Sequence, residues 1–538
     1  MNIKIKDRVF LLFILFLVIF VLSCYKENNF GKLPRDNAHT WLTGSSVKFI
    51  ENWLEDGALN LGFRMYEYPK SIETPELKDR GLYVSYPVGC ILPIYAVVKL
   101  YSILKNNSIT ATGIIKIIQW YSLVTHAIES LCLFLICWLY LRKKVDSVVA
   151  IIVSFFSIFL LYSFNFSNYY HFYVYFADQG VLWIYSLSVL FELLKHGIKS
   201  KKKRFIIEVL LFVINLLGLA TDWFFCFYMF VVFIKRLIFH EFGQFNKKNT
   251  YLKISFYCLP VFMVLAIFLY QIISVDTISS LISKLRFRTN DTTTYSGFWL
   301  VAVLKHFICG YGIVTTLIFS LSIFFFCYRM IVSIINRQSD MFVYFYSILL
   351  IPCIFQVSFF RNHSVIHEFS VLKFELAISF FLVVCLFEII SDFSAYSLNL
   401  NCTINHKEKC VRIPLIIFFV AFIALFSVFS QTHIYTVGVD TNYDKEYFIK
   451  NNTDFNDVIF SFDYEIPINP PHNLAHSRKI VRKIELLDEI ADFINQHDLS
   501  TARCLIFVSN NNFRDELKNF NKIVEENGMS LYEYRIEP

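Results

Sequence analysis

The sequence predicts an all-α polytopic membrane protein with a small α/β domain at its C-terminal end. Three observations carry that prediction. Of the 538 residues, 56% are hydrophobic and 18% aromatic, with 60 Phe and 31 Tyr, whereas an average soluble domain is about 45–50% apolar and about 25% charged. Apolar runs recur along the chain, and Lys and Arg gather in short clusters between them, the distribution that marks cytoplasmic loops. From Gln431 onward the composition turns soluble. The formal net charge of +7 is therefore read as topology, and no nucleic-acid partner is indicated. The 13 Cys lie mostly inside apolar runs without CxxC or paired Cys/His spacing, so neither a zinc site nor a disulfide framework is indicated; they read as small hydrophobes.

In chain order, Lys4, Lys6 and Arg8 precede the run Val9 to Ser23, which places the N-terminus inside and sends the first span outward. Val-Leu-Ser-Cys24 imitates a lipoprotein cleavage site, but Leu22 fits it poorly and many spans follow, so the run is expected to be an uncleaved helix. Residues 25–112 form the first outside segment. Within it Trp41, Val47, Phe49, Ile50, Trp53 and Leu54 repeat near helical spacing between Asn37 and Asp56, predicting a helix in the membrane interface or packed on the bundle. The stretch Cys90 to Leu104 contains Pro93 and Lys99 and is shorter than the ~20 residues a span needs, so it is expected to be a re-entrant or interfacial helix that does not cross. Further spans are expected at 114–141, 146–165, 179–195, 205–221, 222–239, 252–273, 303–327, 341–360, 369–390 and 413–430, about eleven with the first. All the basic clusters then fall on the N-terminal side of the membrane. Residues 1–430 make the membrane module and 431–538 an outside domain, with strands at 457–461, 504–508 and 531–536 and helices at 484–497 and 513–527. That domain has no glycine-rich phosphate loop and no nucleophile elbow, so no catalysis is assigned to it.

This topology gathers polar residues on the outer face. Asp36, in Pro34-Arg35-Asp36-Asn37, follows the first span, and Asp178, Asp222, Arg361, His363 and His367 lie in later outside loops. Polar groups near a bilayer are costly unless they face a cavity or a partner, so these residues are candidates for one shared site. Each alone also reads as a charge at a helix end in the headgroup region, and Asp36 as a helix cap.

The layout resembles the GT-C superfamily of integral-membrane glycosyltransferases, in particular the branch similar to bacterial aminoarabinose transferases and protein O-mannosyltransferases. Asp36 matches the position of the family's catalytic Asp; Tyr86-Pro87-Val88-Gly89-Cys90-Ile91-Leu92-Pro93 is similar to its Pro-rich segment, and Arg361 to Phe369 to its late histidine-bearing loop. The C-terminal domain opening at Tyr447 to Thr453 is similar in kind to those of many members. Pro-Val-Gly stands where Pro-Pro-Gly is commoner, and no acidic pair stands next to Asp36, so the cofactor stays unassigned and a divalent metal is an open question. The resemblance implies transfer of a sugar, with inversion, from a polyprenyl-phosphate donor to a lipid, glycan or protein acceptor at the outer face of the cell membrane. It implies Asp36 as general base, with Arg361, His363, His367, Asp178, Asp222 and Tyr86 binding substrate. Two competing readings are a secondary transporter or flippase, for which the matched halves with broken helices are missing, and a polysaccharide ligase or polymerase, whose large outside loop typically lies late in the chain.

Overall fold

The computed structural model describes residues 5–34, 39–239, 241, 248–275, 278–290, 298–337, 340–398, 421–422, 425–427, 429, 443–509 and 517–535. It is a polytopic bundle of apolar helices joined to a small C-terminal sheet. Among the described residues, seven helices are long and apolar enough to cross a membrane, or eight if the pair Ser147–Ser163 and Asn165–Tyr173, bent by 64°, is one span. Large apolar side chains such as Phe262, Leu321 and Phe324 remain exposed along these helices, which suits a surface solvated by lipid.

Several expected spans are placed differently. The run expected to span at 303–327 is two helices, Trp299–Tyr311 and Ile313–Asn336. They break at Gly312, whose φ of +82° is a conformation that glycine adopts without a Cβ penalty. The span expected at 369–390 begins as a 3-10 helix, Glu368–Phe374, and only then becomes the helix Glu375–Leu398. The span expected at 413–430 lies largely outside the described residues. Helix Leu92–Lys105 has 14 residues, about 21 Å at 1.5 Å per residue and short of the ~30 Å hydrocarbon core. Only with the preceding turn from Val88 does it reach span length.

The segment 25–112 does most to position the site. Its helix, Trp41–Asp56, has residues 42–53 buried on every side; it is packed on the bundle, one of the two placements expected for it. Thr43 Oγ1 donates to the Tyr173 carbonyl at 2.8 Å and Ser46 Oγ to the Tyr175 carbonyl at 2.8 Å. Trp53 Nε1 donates to the Arg64 carbonyl at 2.7 Å. These bonds satisfy polar groups that would be costly to bury alone, and they tie the helix to the segment that follows Asn165–Tyr173.

The C-terminal sheet has five strands: β1 (Asp457–Ser461), β2 (Val481–Lys483), β3 (Arg503–Val508), β4 (Asn521–Glu526) and β5 (Met529–Tyr534). Their order is β2-β1-β3-β5-β4, with β1 parallel to β2 and β3, and β5 antiparallel to β3 and β4. The helix expected over 513–527 is contradicted, because β4 occupies 521–526. Asn527 and Gly528, at φ of +51° and +83°, turn the chain straight into β5, and Asn-Gly is the pair that tight hairpin turns favour. Of the expected helix 484–497, Asp488–Gln496 forms. The sheet docks on the segment 25–112. Arg478 donates through Nη2 to Glu55 at 2.6 Å and to Asn52 at 2.6 Å, and Arg482 donates through Nη1 to Glu73 at 2.8 Å.

Candidate functional site

Four helix ends and loops converge on one buried lysine. Lys373, in the 3-10 helix Glu368–Phe374, is fully buried and places Nζ 2.6 Å from Asp178 Oδ1 and 2.6 Å from Asp222 Oδ2. Asp178 lies in the single turn Ala177–Gly180 that leads into helix Leu182–His196. Asp222 sits in extended backbone between helices Lys201–Thr221 and Phe224–Ile238, and its Oδ1 accepts from the Phe224 N–H at 2.8 Å, the usual cap of an orphan donor. Tyr86 Oη donates to Asp178 Oδ2 at 2.8 Å and lies 3.4 Å from His363 Nε2. The Tyr86 segment is held in place by Gly89: a Cβ there would stand 2.4 Å from the Ala220 carbonyl oxygen, so only glycine lets this turn lie on the end of helix Lys201–Thr221.

A row of imidazoles extends from that core. His363 and His367 have ring centroids 4.7 Å apart, and His367 Nδ1 is 3.4 Å from His39 Nε2. His39 Nδ1 is 3.0 Å from Tyr170 Oη, which donates to Glu368 at 2.6 Å. His39 itself holds φ at +69°, a strained conformation for a residue with a side chain, of the kind that clusters at functional sites. Burial, reinforced by the neighbouring His367, pushes the His39 imidazole down to about 4; burial pushes His367 down to about 4 against the opposing pull of Asp178. Both rings are neutral near pH 7 and can accept or donate a hydrogen bond there.

Asp178, Asp222, Tyr86, His363 and His367 are thus brought together, and Arg361 is not. Arg361 is exposed, donating from Nε to the Ser358 carbonyl at 3.1 Å and lying 5.9 Å from the centre of the Trp299 ring. The guanidinium that faces the site belongs to Arg288, at the end of helix Ile278–Asn290, 4.5 Å from the centre of the Tyr86 ring and without a carboxylate ion pair among the described residues. Asp36 lies outside the described residues. The residues flanking its loop are described: Thr40 Oγ1 donates to the Pro34 carbonyl at 2.8 Å and is 2.9 Å from His472 Nε2 in the C-terminal domain. Sequence reasoning missed Lys373, Arg288, His39 and Tyr170. For Lys373 a signal existed, the single lysine of the expected span 369–390, which also holds Glu375 and Glu388, and a charge inside a span has to be paired.

The arrangement offers a buried carboxylate–lysine–carboxylate core, one guanidinium without a carboxylate partner among the described residues and a line of neutral imidazoles leading away from it. That set can bind an anion and exchange protons beside it.

No family model matches the sequence, and no curated protein matches it. Solved structures do match its shape. The crystal structure of ArnT from Cupriavidus metallidurans bound to undecaprenyl phosphate superposes with a TM-score of 0.55 at 10% identity, covering 98% of this chain and 98% of that one. Archaeal oligosaccharyltransferase AglB from Archaeoglobus fulgidus, in complex with an inhibitory peptide and a dolichol-phosphate, superposes with a TM-score of 0.52 at 12% identity, covering 93% of this chain and 69% of that one. The Archaeoglobus fulgidus enzyme tethered with an acceptor peptide gives a TM-score of 0.53 at 10% identity over the same shares. What these solved structures have in common with this chain is the fold.

Proposed function

We propose that this chain is a membrane glycosyltransferase that moves a sugar from a polyprenyl-phosphate donor to a lipid, glycan or protein acceptor at the outer face of the cell membrane, with its N-terminus inside and its C-terminal domain outside. The observation that carries the reading is the buried core of Lys373, Asp178 and Asp222 with Arg288 and the histidine row, whose His39 stands three residues after Asp36 in the sequence. Support comes from the shared fold, since one structural neighbour is bound to undecaprenyl phosphate and another is in complex with a dolichol-phosphate.

In this mechanism the acceptor hydroxyl attacks the anomeric carbon from the face opposite the phosphate, its proton passes to the Asp36 carboxylate, and the carbon–oxygen bond to the phosphate breaks. The new glycosidic bond has inverted configuration and polyprenyl phosphate departs with the electron pair. A leaving phosphate needs fixed donors. Arg288 is placed for that role where Arg361 is not, because a guanidinium keeps its charge and matches phosphate through two hydrogen bonds. His363, His367 and Tyr86 complete the donor side, and Lys373 holds Asp178 and Asp222 in position. The prenyl chain lies along the bundle in lipid.

Asp36→Asn tests the reading. Asn retains shape and capping ability but not the basic oxygen, so turnover in membranes with a lipid-linked donor is expected to fall by roughly 10²–10⁴-fold with expression unchanged. Full activity in Asp36→Asn would remove Asp36 as base.

A further inference from the structure

A second polar cluster lies inside the bundle, apart from the proposed site, and nothing in the glycosyl-transfer mechanism uses it. Glu129 comes from helix Ala111–Leu141, His171 from helix Asn165–Tyr173 and Glu375 from the first turn of helix Glu375–Leu398. Glu129 and Glu375 are fully buried and His171 is 2% exposed. His171 Nε2 is 2.9 Å from Glu375 Oε1 and 3.5 Å from Glu129 Oε2, and one ligand atom from each residue lies within 4.8 Å of the others. Among the described residues, neither carboxylate oxygen of Glu129 has a hydrogen-bond donor.

Two carboxylates facing one imidazole inside an apolar bundle leave an uncompensated negative charge unless a cation or protons fill the gap, and an unpaired buried charge is strongly destabilising. We propose that the three side chains bind one divalent transition-metal ion of the zinc class. The donor set, one imidazole and two carboxylates, is one such ions accept, and its two negative charges neutralise the ion. With metal–ligand bonds of about 2.1 Å, tetrahedral ligand atoms stand about 3.4 Å apart, and the separations of 2.9 and 3.5 Å bracket that value.

The surroundings orient the ligands as metal sites require. Ser167 Oγ donates to Glu375 Oε2 at 2.6 Å, fixing the carboxylate with Oε1 toward His171. The His126 ring stacks on His171 with centroids 3.9 Å apart and planes within 5°. Gln179 places Nε2 3.4 Å from His171 Nδ1, while its Oε1 is buried without a partner. Exchanging the amide oxygen and nitrogen, which have nearly the same shape, lets Oε1 accept from Nδ1–H and leaves the Nε2 lone pair for the ion. The exchange sets the ligating tautomer of His171.

The ion's role is to position neighbouring residues. His171 follows Tyr170, which bonds Glu368, and Gln179 follows Asp178, which bonds Lys373. An ion here would pin helix Asn165–Tyr173 and the turn Ala177–Gly180 to the two long helices, and so fix two residues of the neighbouring site without touching substrate. The sequence carries no sign of it, because the ligands come one each from three distant segments.

The test uses the full chain in detergent and the metal alone. As purified, the protein is expected to contain a single zinc-class ion per chain by elemental mass spectrometry. Chelator-stripped protein is expected to unfold at a lower temperature and to regain its midpoint with zinc chloride, with manganese chloride run in parallel. Glu129→Gln is expected to lose the metal and the zinc-dependent shift; because Glu129 has no hydrogen bond to lose, its metal-free midpoint should equal or exceed that of stripped wild type. Wild type that binds neither ion and shows no shift overturns the proposal and leaves a proton shared between the two carboxylates. Glu129→Gln that keeps full metal content overturns it as well. If the variant does not fold, the wild-type stripping and reloading decides alone.

Discussion

Replacing Lys373 with Met is the most informative perturbation of the proposed site. Nζ is bonded at 2.6 Å to both Asp178 and Asp222, and the side chain is fully buried. Two carboxylates and one ammonium leave a net charge of about −1, faced by Arg288 from beyond Tyr86. Methionine has similar length and no charge, so packing changes little while two buried carboxylates lose their shared cation. Removing one partner of a buried ion pair costs about 3–5 kcal/mol, a large fraction of the roughly 5–15 kcal/mol that holds a domain folded. At about 2 °C per kcal/mol, the low end for long chains, the unfolding midpoint should fall by roughly 6–10 °C. Adding Asp222→Asn removes one orphaned charge and should recover part of the loss, whereas two unconnected sites would add their costs. The assay is thermal unfolding of purified protein in detergent for wild type, both single variants and the double. A Lys373→Met midpoint equal to wild type, or a double variant at the additive value, refutes the central role given to this lysine.

Three further outcomes are expected. Gly89→Ala drives a Cβ to 2.4 Å from the Ala220 carbonyl; the turn carrying Tyr86 must shift, so turnover should fall at least tenfold while a substitution at the exposed Leu104 serves as an unaffected control. Arg361→Ala should leave donor binding unchanged, because its guanidinium faces Trp299 and the surface, while Arg288→Ala should weaken binding of a polyprenyl-phosphate analogue roughly tenfold or more, as loss of a charged hydrogen bond does. The pH dependence follows from His39 and His367. Each folded value, about 4, lies below the ordinary 6.5, so the unfolded chain binds the proton first. The stability these rings contribute is present above pH 6.5 and is lost as pH falls toward 4, at about 1.4 kcal/mol per pH unit for each histidine. His39→Gln with His367→Gln should flatten the fall in unfolding midpoint across that window.

The membrane frame was legible because a span leaves two marks, an apolar run and a flanking basic cluster. Asp178, Asp222, His363 and His367 stand out in the sequence because they are polar residues at the ends of such runs, and Tyr86 through the resemblance of its Pro-rich segment. Arg361 lies apart from the cluster because residues two apart on a helix point about 200° from each other, so helix Arg361–Ile366 turns Arg361 outward when it turns His363 inward. Lys373 was concealed because a 3-10 turn and the following helix read together as one apolar run. Of the hairpin Asn521–Tyr534, the second strand is legible at 531–536, whereas the first falls in the stretch 513–527 that reads as helix, and the Asn527-Gly528 pair that reverses the chain is the signal against that helix. The cluster of Glu129, His171 and Glu375 had no local pattern, since only packing brings three separate helices to one point.

The hydrogen bonds of Thr40 give the C-terminal domain a mechanical office. The hydroxyl that closes on the Pro34 carbonyl is also within 2.9 Å of His472, and Gly44 brings its helix so near that a Cβ would stand 3.2 Å from the His472 nitrogen. The sheet domain therefore works as a keystone: it rests on helix Trp41–Asp56 and, through His472, braces the threonine that closes on Pro34. A chain from which it was cut away would lose that brace, and a domain borrowed from a cousin would have to bring its own counterpart of His472.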